Sequence, residues 1–228
     1  MKTKFLTITI LIVFTAMSAV AQFNNNSSKT SFAVLGGVNF QNLNGKDADG
    51  DQLEYDLLLG YHGGVNAQIP VAPEFYFQPG LMLSTKGAQN PEGLEMALAS
   101  KIRLSYLEMP LNFVYKAQLG NGHFMLGFGP YLAYGVGGKV IWESDSGSME
   151  YDVKFKEGSN SDSSDIFYVR PFDAGGNIFA GYELPGGLFF QFNTQLGMLN
   201  INWENEFIPD DQSVLKNTGF GLSAGYRF

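Results

Sequence analysis

The last nine residues, Phe220–Phe228, read FGLSAGYRF, and this stretch decides the fold. Large apolar residues alternate with Gly, Ser and Arg through to the final phenylalanine, which is the period of a β-strand. Chain ends normally fray unless they are tied down. A closed barrel would hold this end in place, because its last strand pairs with its first and leaves no open sheet edge.

The same alternation recurs along the chain from Ser31. Eight segments are predicted to be strands: 31–41, 57–69, 74–86, 102–116, 123–140, 167–183, 188–200 and 216–228. Their polar faces are crowded with Gly, Ala, Ser, Asn and Gln, and charged residues make up only 16% of the chain, against roughly 25% in typical soluble domains. Small side chains suit the narrow interior of an eight-stranded barrel. The pattern therefore predicts that the apolar faces point outward.

Connection lengths separate this prediction from a soluble sandwich or a lipocalin-like ligand binder, which would turn their apolar faces inward. The joints PVAP (70–73), LGNG (119–122) and LPGG (184–187) are short. The alternate joints are longer and polar, the largest running from about Ile141 to Ile166. Short turns on one side and long loops on the other are typical of outer-membrane barrels. We therefore predict an all-β fold, an eight-stranded antiparallel up-and-down transmembrane β-barrel over residues 31–228.

Aromatic residues cluster near the predicted strand ends, where the two membrane interfaces would lie. The short-turn ends hold Phe75, Phe77, Tyr115, Tyr182, Phe190, Tyr226 and Phe228, and the long-loop ends hold Tyr106, Tyr134 and Trp142. The alternative is that these rings form an ordinary core.

The N-terminus has the pattern of a secretory signal peptide. Two lysines precede the apolar run FLTITILIVFTAM (5–17), and Ala19 and Ala21 give an A-x-A site, so cleavage is predicted before Gln22. The run is short for a membrane anchor, which needs about 20 residues. The sequence thus predicts a signal peptide at 1–21, a polar tether at 22–30, and export to the cell outer membrane.

Five stretches together resemble the PorT-like outer-membrane β-barrel family, often labelled "porin family", of Gram-negative bacteria. They are FAVLGGVNFQNL (32–43), YLEMPLNFVYK (106–116), GFGPYLAYGVGGK (127–139), FDAGGNIFAGYEL (172–184) and KNTGFGLSAGYRF (216–228). The resemblance implies an eight-stranded barrel and no common catalytic residues. The final strand also resembles the C-terminal signal that such barrels present to the insertion machinery, and the residues that match it are Phe220, Leu222, Tyr226 and Phe228.

The predicted interior contains one notable carboxylate, Glu108, which would be costly to bury without a partner. Residues with inward parity supply the candidate cations Lys86, Lys116, Lys139 and Arg227. Such a pair either plugs the interior or sets ion preference in a narrow pore. The first interpretation predicts a non-enzymatic structural or interaction protein with long acidic extracellular loops. The alternative is a porin-like channel for water, ions or small solutes.

Other chemistry has little support in the sequence. Asp47, Asp49 and Asp51 have the spacing of a Ca²⁺ loop, but Gln52 stands where an EF-hand needs Gly, so a solvated acidic loop is favoured. The only histidines, His62 and His123, lie on separate strands, and there is no Cys. We therefore expect no catalysis and no cofactor. The chain is acidic, with a formal net charge of −8, which argues against nucleic acid. The expected partners are outer-membrane lipid and lipopolysaccharide, the insertion machinery, and a protein at the outer loops.

Overall fold

The computed structural model describes residues 29–47, 50–90, 99–144, 147–156, 167–202 and 213–228. Within these ranges the elements are strands, and no helix is long and apolar enough to cross a membrane. The strands are β1 (Ser31–Lys46), β2 (Leu58–Ala72), β3 (Phe75–Gln89), β4 (Ala99–Leu119), β5 (Gly122–Ser144), β6 (Gly147–Phe155), β7 (Phe167–Val169), β8 (Phe172–Glu183), β9 (Leu188–Gly197) and β10 (Val214–Arg227). The predicted signal peptide lies outside the described residues, as does the tether up to residue 28.

Eight of these strands form a closed ring in the order β1-β2-β3-β4-β5-β8-β9-β10, and every pairing in the ring is antiparallel. The ring closes between its first and last strands, with Ala33 opposite Arg227 and Lys46 opposite Val214. Phe32 and Phe228 then exchange both backbone hydrogen bonds, at 3.2 and 2.9 Å. The terminal strand is therefore held as the sequence predicts, and the ring has no open edge.

The two faces of the ring have opposite chemistry. Large apolar side chains such as Phe128, Leu196 and Leu222 are more than half exposed on the outside. The inside holds buried polar and charged groups, among them Asn39, Gln41, His62, Asn66, Gln68, Gln78, Lys86, Glu108, Asn112, Asp173, Asn177, Glu183, Asn217, Ser223 and Arg227. This is the apolar-out arrangement that the alternation predicts, and it excludes an apolar-in sandwich.

Glycines on the inner face make room for large rings. A Cβ at Gly127 would overlap the ring of Phe179, and a Cβ at Gly225 would overlap the ring of Phe189. Both rings are buried, at 3% and 1% exposure. The small residues at inward positions therefore do not leave an open lumen. They make space that aromatic side chains from neighbouring strands occupy.

The three short joints are tight turns, as predicted. β2 and β3 meet at Pro73 and Glu74, β4 and β5 at Gly120 and Asn121, and β8 and β9 across residues 184–187. Gly120 and Gly187 have φ of 60° and 87°, conformations that glycine adopts without steric cost.

The predicted long loop at 141–166 is wrong in its first half. β5 continues to Ser144 and pairs with β6, so Glu143, Glu150 and Asp152 belong to strands. The predicted strand 167–183 is also divided, because β7 pairs in parallel with β6 whereas β8 pairs with β5. Pro171 lies at the break, where a residue without an N–H cannot continue the ladder.

Candidate functional site: the charged interior

A lysine bridges two carboxylates across the inside of the ring. Lys86 on β3 places its Nζ 3.2 Å from Oε2 of Glu108 on β4 and 3.1 Å from Oδ2 of Asp173 on β8. All three side chains are at most 1% exposed. These contacts join strands that are not all neighbours in the ring, because β5 lies between β4 and β8. The ion cluster therefore spans the interior instead of lining one wall.

Neutral polar groups complete this ion cluster. Tyr131 and Asn217 donate hydrogen bonds to Oδ2 of Asp173 at 3.2 and 2.9 Å, and Gln195 donates to Oε1 of Glu108. Lys86 also sits over the Tyr131 ring, with Nζ 4.0 Å from the ring centroid, a cation–π geometry. Asp173 Oδ1 has no hydrogen-bond partner among the described residues. Because two carboxylates share one ammonium, Lys86 is the group whose charge makes burial of both acids tolerable.

A second charged cluster lies toward the short turns. Glu183 accepts from Lys116 Nζ at 2.6 Å and from Arg227 Nε at 2.9 Å. The guanidinium of Arg227 also donates to the side-chain oxygens of Asn66 and Gln78, at 3.3 and 3.4 Å. Here the cations outnumber the acid, the reverse of the ion cluster around Lys86. Arg227 thereby ties the end of β10 to β2, β3 and β8.

A small polar cavity of about 40 Å³ separates these charged clusters. Its lining includes Glu108, His62, Asn112, Asn177 and Ser223, with further amides from β9. His62 Nε2 lies 2.7 Å from Ser223 Oγ, and both residues are buried. A cavity of this size holds about one water molecule. This volume is too small for a substrate beside His62 and Ser223. Their contact is a hydrogen bond within the filled interior.

Apolar side chains close the interior on both sides of the polar layer. The cluster at the long-loop end comprises Leu43, Ala88, Leu104, Tyr106, Tyr131, Ala133, Val140, Val153, Val169 and Ile201. The one toward the short turns comprises Ala33, Leu35, Val114, Met125, Phe179 and Phe189. Tyr106 is fully buried in the first cluster, so its sequence-based placement at the membrane interface is wrong. Trp142 is partly buried and packs against the same cluster. Tyr134 does face outward, at 52% exposure.

Three of the four candidate interior cations lie inside the ring, and the fourth lies on its outer surface. Lys86 contacts Glu108, and Lys116 and Arg227 contact Glu183, but Lys139 faces outward and bonds Glu150, with about half of its side chain exposed. The cause is a β-bulge on β5. Ser105 pairs with Gly137 and Tyr106 with Gly135, which leaves Val136 as an extra residue. One inserted residue reverses the parity of everything beyond it, so Lys139 cannot be a partner of Glu108.

The remaining sequence candidates lie elsewhere. Asp49 is outside the described residues, and Asp47 uses its carboxylate to accept from the backbone N–H of Asp51. Within the described ranges no group of three His, Cys, Asp or Glu side chains is placed to hold a metal ion. Phe220, Leu222 and Tyr226 on β10, and Phe228 directly after it, are exposed on the outer face of the ring.

Two carboxylates central to the interior, Asp173 and Glu183, were not among the sequence candidates. The available signal was parity: Phe172 is exposed and Asp173 is buried in one alternating run, and Glu183 has the same parity at the other end of β8. Inward parity on β8 would have found both acids, but it would not have shown which cation each one meets.

Comparison with known proteins places this geometry in a family. Residues 20–202 match the family described as "Outer membrane protein beta-barrel domain". No curated protein matches the chain.

Among solved structures, Ail of Yersinia pestis in complex with the heparin analogue sucrose octasulfate is 13% identical with a TM-score of 0.40, covering 88% of this chain and 100% of that one. Neisserial surface protein A is 12% identical with a TM-score of 0.40, covering 88% and 98%. AlkL, solved in lipid bilayers, is 11% identical with a TM-score of 0.39, covering 90% and 94%. Because the family match extends over most of the sequence, the chain belongs to the outer membrane protein beta-barrel domain family.

Proposed function

We propose that this protein is a closed, non-enzymatic barrel that spans the outer membrane with its eight-stranded ring and serves a structural or interaction role. The observation that carries the proposal is the ion cluster of Lys86, Glu108 and Asp173, which crosses the interior between two apolar clusters. An eight-stranded interior is just wide enough for side chains to fill. Burial of His62 and Ser223 beside a cavity of about 40 Å³ supports the absence of catalysis.

The outward side supports the membrane assignment. Every strand of the ring has exposed large apolar residues at its outward positions, mostly Phe, Leu, Val and Tyr. A lipid-facing wall requires such a surface. A protein partner would then bind the longer connections between strands, where acidic residues such as Asp51 and Glu54 lie. The finer PorT-like assignment and cleavage before Gln22 remain predictions, and the mass of the mature chain purified from outer membranes tests the cleavage site.

A narrow channel is the second candidate, favoured by the polar cavity beside Glu108. Planar-bilayer conductance of the refolded mature protein separates the two, provided that a heat-dependent gel shift shows the inserted protein to be folded. A closed barrel gives no discrete steps. Discrete steps from folded wild-type protein would refute the closed barrel and support the channel.

Substitution of Glu108→Ala sharpens this test. In a closed barrel it removes part of the plug and produces lower stability or new leakage in a previously silent protein. In a channel it changes the ion preference of steps that the wild type already shows. Lys139→Ala is the matched control, because its ion pair with Glu150 lies on the outer surface. It should change neither readout.

A further inference from the structure

The outer part of β6 has one edge without a partner strand in the described part of the chain. β6 pairs with β5 along one edge over residues 147–152. Along its other edge, β6 pairs with β7 only over residues 153–155. Among the described residues, this second edge has no partner strand over residues 148–152, and we call that stretch the free edge of β6.

The backbone groups on the free edge point away from β5. Directly after β6, the N–H of Lys156 donates to the carbonyl oxygen of Val169 on β7 at 3.1 Å. Backbone groups of alternate residues in a strand point to the same side, so those of Ser148, Glu150 and Asp152 point to the free edge. Among the described residues, no backbone hydrogen bond reaches these three from that side. Their N–H and C=O groups are therefore a template for one more strand.

The free edge is exposed and lies on the long-loop side of the ring. Ser148, Glu150 and Asp152 are all exposed to solvent. The hairpin of β5 and β6 continues past the last pair between β5 and β8, which is Tyr134 opposite Phe172. In the proposed membrane orientation this side faces the outside of the cell, so the free edge is open to a partner there.

The side chains of β6 define the chemistry of a strand that fits the free edge. On one face, Glu150 and Asp152 are acidic, and the cation that both of them face, Lys139, lies on β5, one strand further from the edge. On the other face, Met149 is 56% exposed and Tyr151 is partly buried. Side chains of paired strands meet on the same face of a sheet. A complementary strand therefore carries basic residues on one face and apolar residues on the other.

We propose that the free edge of β6 binds an extended segment of another protein in which basic and apolar residues alternate. The segment is added to β6 as a further strand through backbone hydrogen bonds, and its basic side chains contact Glu150 and Asp152. A second copy of this chain is a poor match, because its residues 148–152 bring two more acids and no cation. Like charges on paired strands are destabilising. The site rests on the proposed interaction role of the barrel.

The test uses mature protein refolded in phosphatidylcholine nanodiscs and a short peptide of alternating lysine and valine, with binding followed by the fluorescence anisotropy of a dye on the peptide. A peptide with glutamate in place of lysine should not bind. Glu150→Gln/Asp152→Asn should bind the lysine peptide roughly fivefold more weakly, since each exposed ion pair contributes a factor of about two to three. Glu74→Gln removes an acid from the β2–β3 turn, on the opposite side of the membrane, and should bind as the wild type does.

A proline variant tests the backbone part of the site at constant charge. Glu150→Pro and Glu150→Gln both remove the carboxylate, but only proline removes the N–H that points to the free edge. The ladder between β6 and β5 remains, because that N–H takes no part in it. Glu150→Pro should abolish binding, whereas Glu150→Gln should weaken it by a factor of about two to three.

Hydrogen exchange measured by NMR gives a readout that charge alone does not change. The amides of Ser148, Glu150 and Asp152 should exchange rapidly in the free protein and slowly when the lysine peptide is bound. Slow exchange in the free protein would overturn the proposal, because the chain itself or a second copy would then already cover the edge. Binding without a change in exchange, or equal binding by Glu150→Pro and Glu150→Gln, would overturn it in favour of charge attraction alone.

Absence of binding by the folded wild-type protein would also overturn the proposal. Failure of the closed barrel would appear separately, as discrete conductance steps in the planar bilayer. Failure of membrane insertion would appear as loss of the heat-dependent gel shift in the wild type.

Discussion

Replacing Lys86 by methionine tests whether the buried ion cluster holds the barrel together. Methionine keeps most of the length and apolar stem of lysine, so packing changes little and the lost charge dominates. Nζ of Lys86 lies 3.2 Å from Glu108 and 3.1 Å from Asp173, and all three groups are at most 1% exposed. The substitution therefore leaves two uncompensated carboxylates in the interior.

The expected cost is about 3–5 kcal/mol of unfolding free energy, the range for breaking a buried ion pair from one side. Equilibrium unfolding in urea measures it, with the protein refolded into phosphatidylcholine vesicles and the folded fraction read from the heat-dependent gel shift. The triple variant Lys86→Met/Glu108→Gln/Asp173→Asn also removes the two carboxylate charges that the single variant leaves without a cation. It should regain most of the loss, because the penalty comes from unpaired charge.

Lys139→Met is the matched control, since its ion pair with Glu150 is about half exposed and should change stability little. The reasoning fails if Lys86→Met unfolds at the same urea concentration as the control. It also fails if the triple variant is no more stable than the single one, because the loss would then come from packing.

Three further predictions concern the second charged cluster around Glu183, the inner glycines and the C-terminal residue. Glu183→Gln removes the acid that Lys116 and Arg227 share and leaves these two nearly buried cations with neutral partners only, among the contacts described. It should cost about 2–4 kcal/mol in the same urea assay, whereas Glu150→Gln should be close to wild type. Equal effects would contradict the assigned burial. Gly127→Ala forces the ring of Phe179 to move and should cost about 1–3 kcal/mol, and Phe179→Leu in the same chain should recover part of it in thermal unfolding. Phe228→Ala keeps the reciprocal backbone hydrogen bonds to Phe32 on β1, so the stability in urea should stay near that of the wild type. Insertion into vesicles by the insertion machinery should slow. An unchanged insertion rate would show that Phe228 is not part of the insertion signal.

The sequence predicted those features that depend on local alternation. Residues i and i+2 share a face of any strand, so the exposed Phe220 and Leu222, the buried Glu108 and the closing role of the last strand follow from the order of residues alone. The short turns followed from glycine and proline at strand ends. Parity counting was reliable wherever the ladder was unbroken.

Tertiary structure decided everything that depends on which strands meet and where the ladder breaks. The extra residue at Val136 reversed the parity of β5 and moved Lys139 from the predicted interior to the surface. Beyond Tyr134 the strand that pairs with β5 changes from β8 to β6. The choice of Asp173 as a second partner for Lys86 required ring closure, since it joins β3 to β8 across the interior. Alternation is a property of a strand by itself, whereas bulges, strand exchange and cross-ring ion pairs are fixed by packing among strands that lie far apart in the chain.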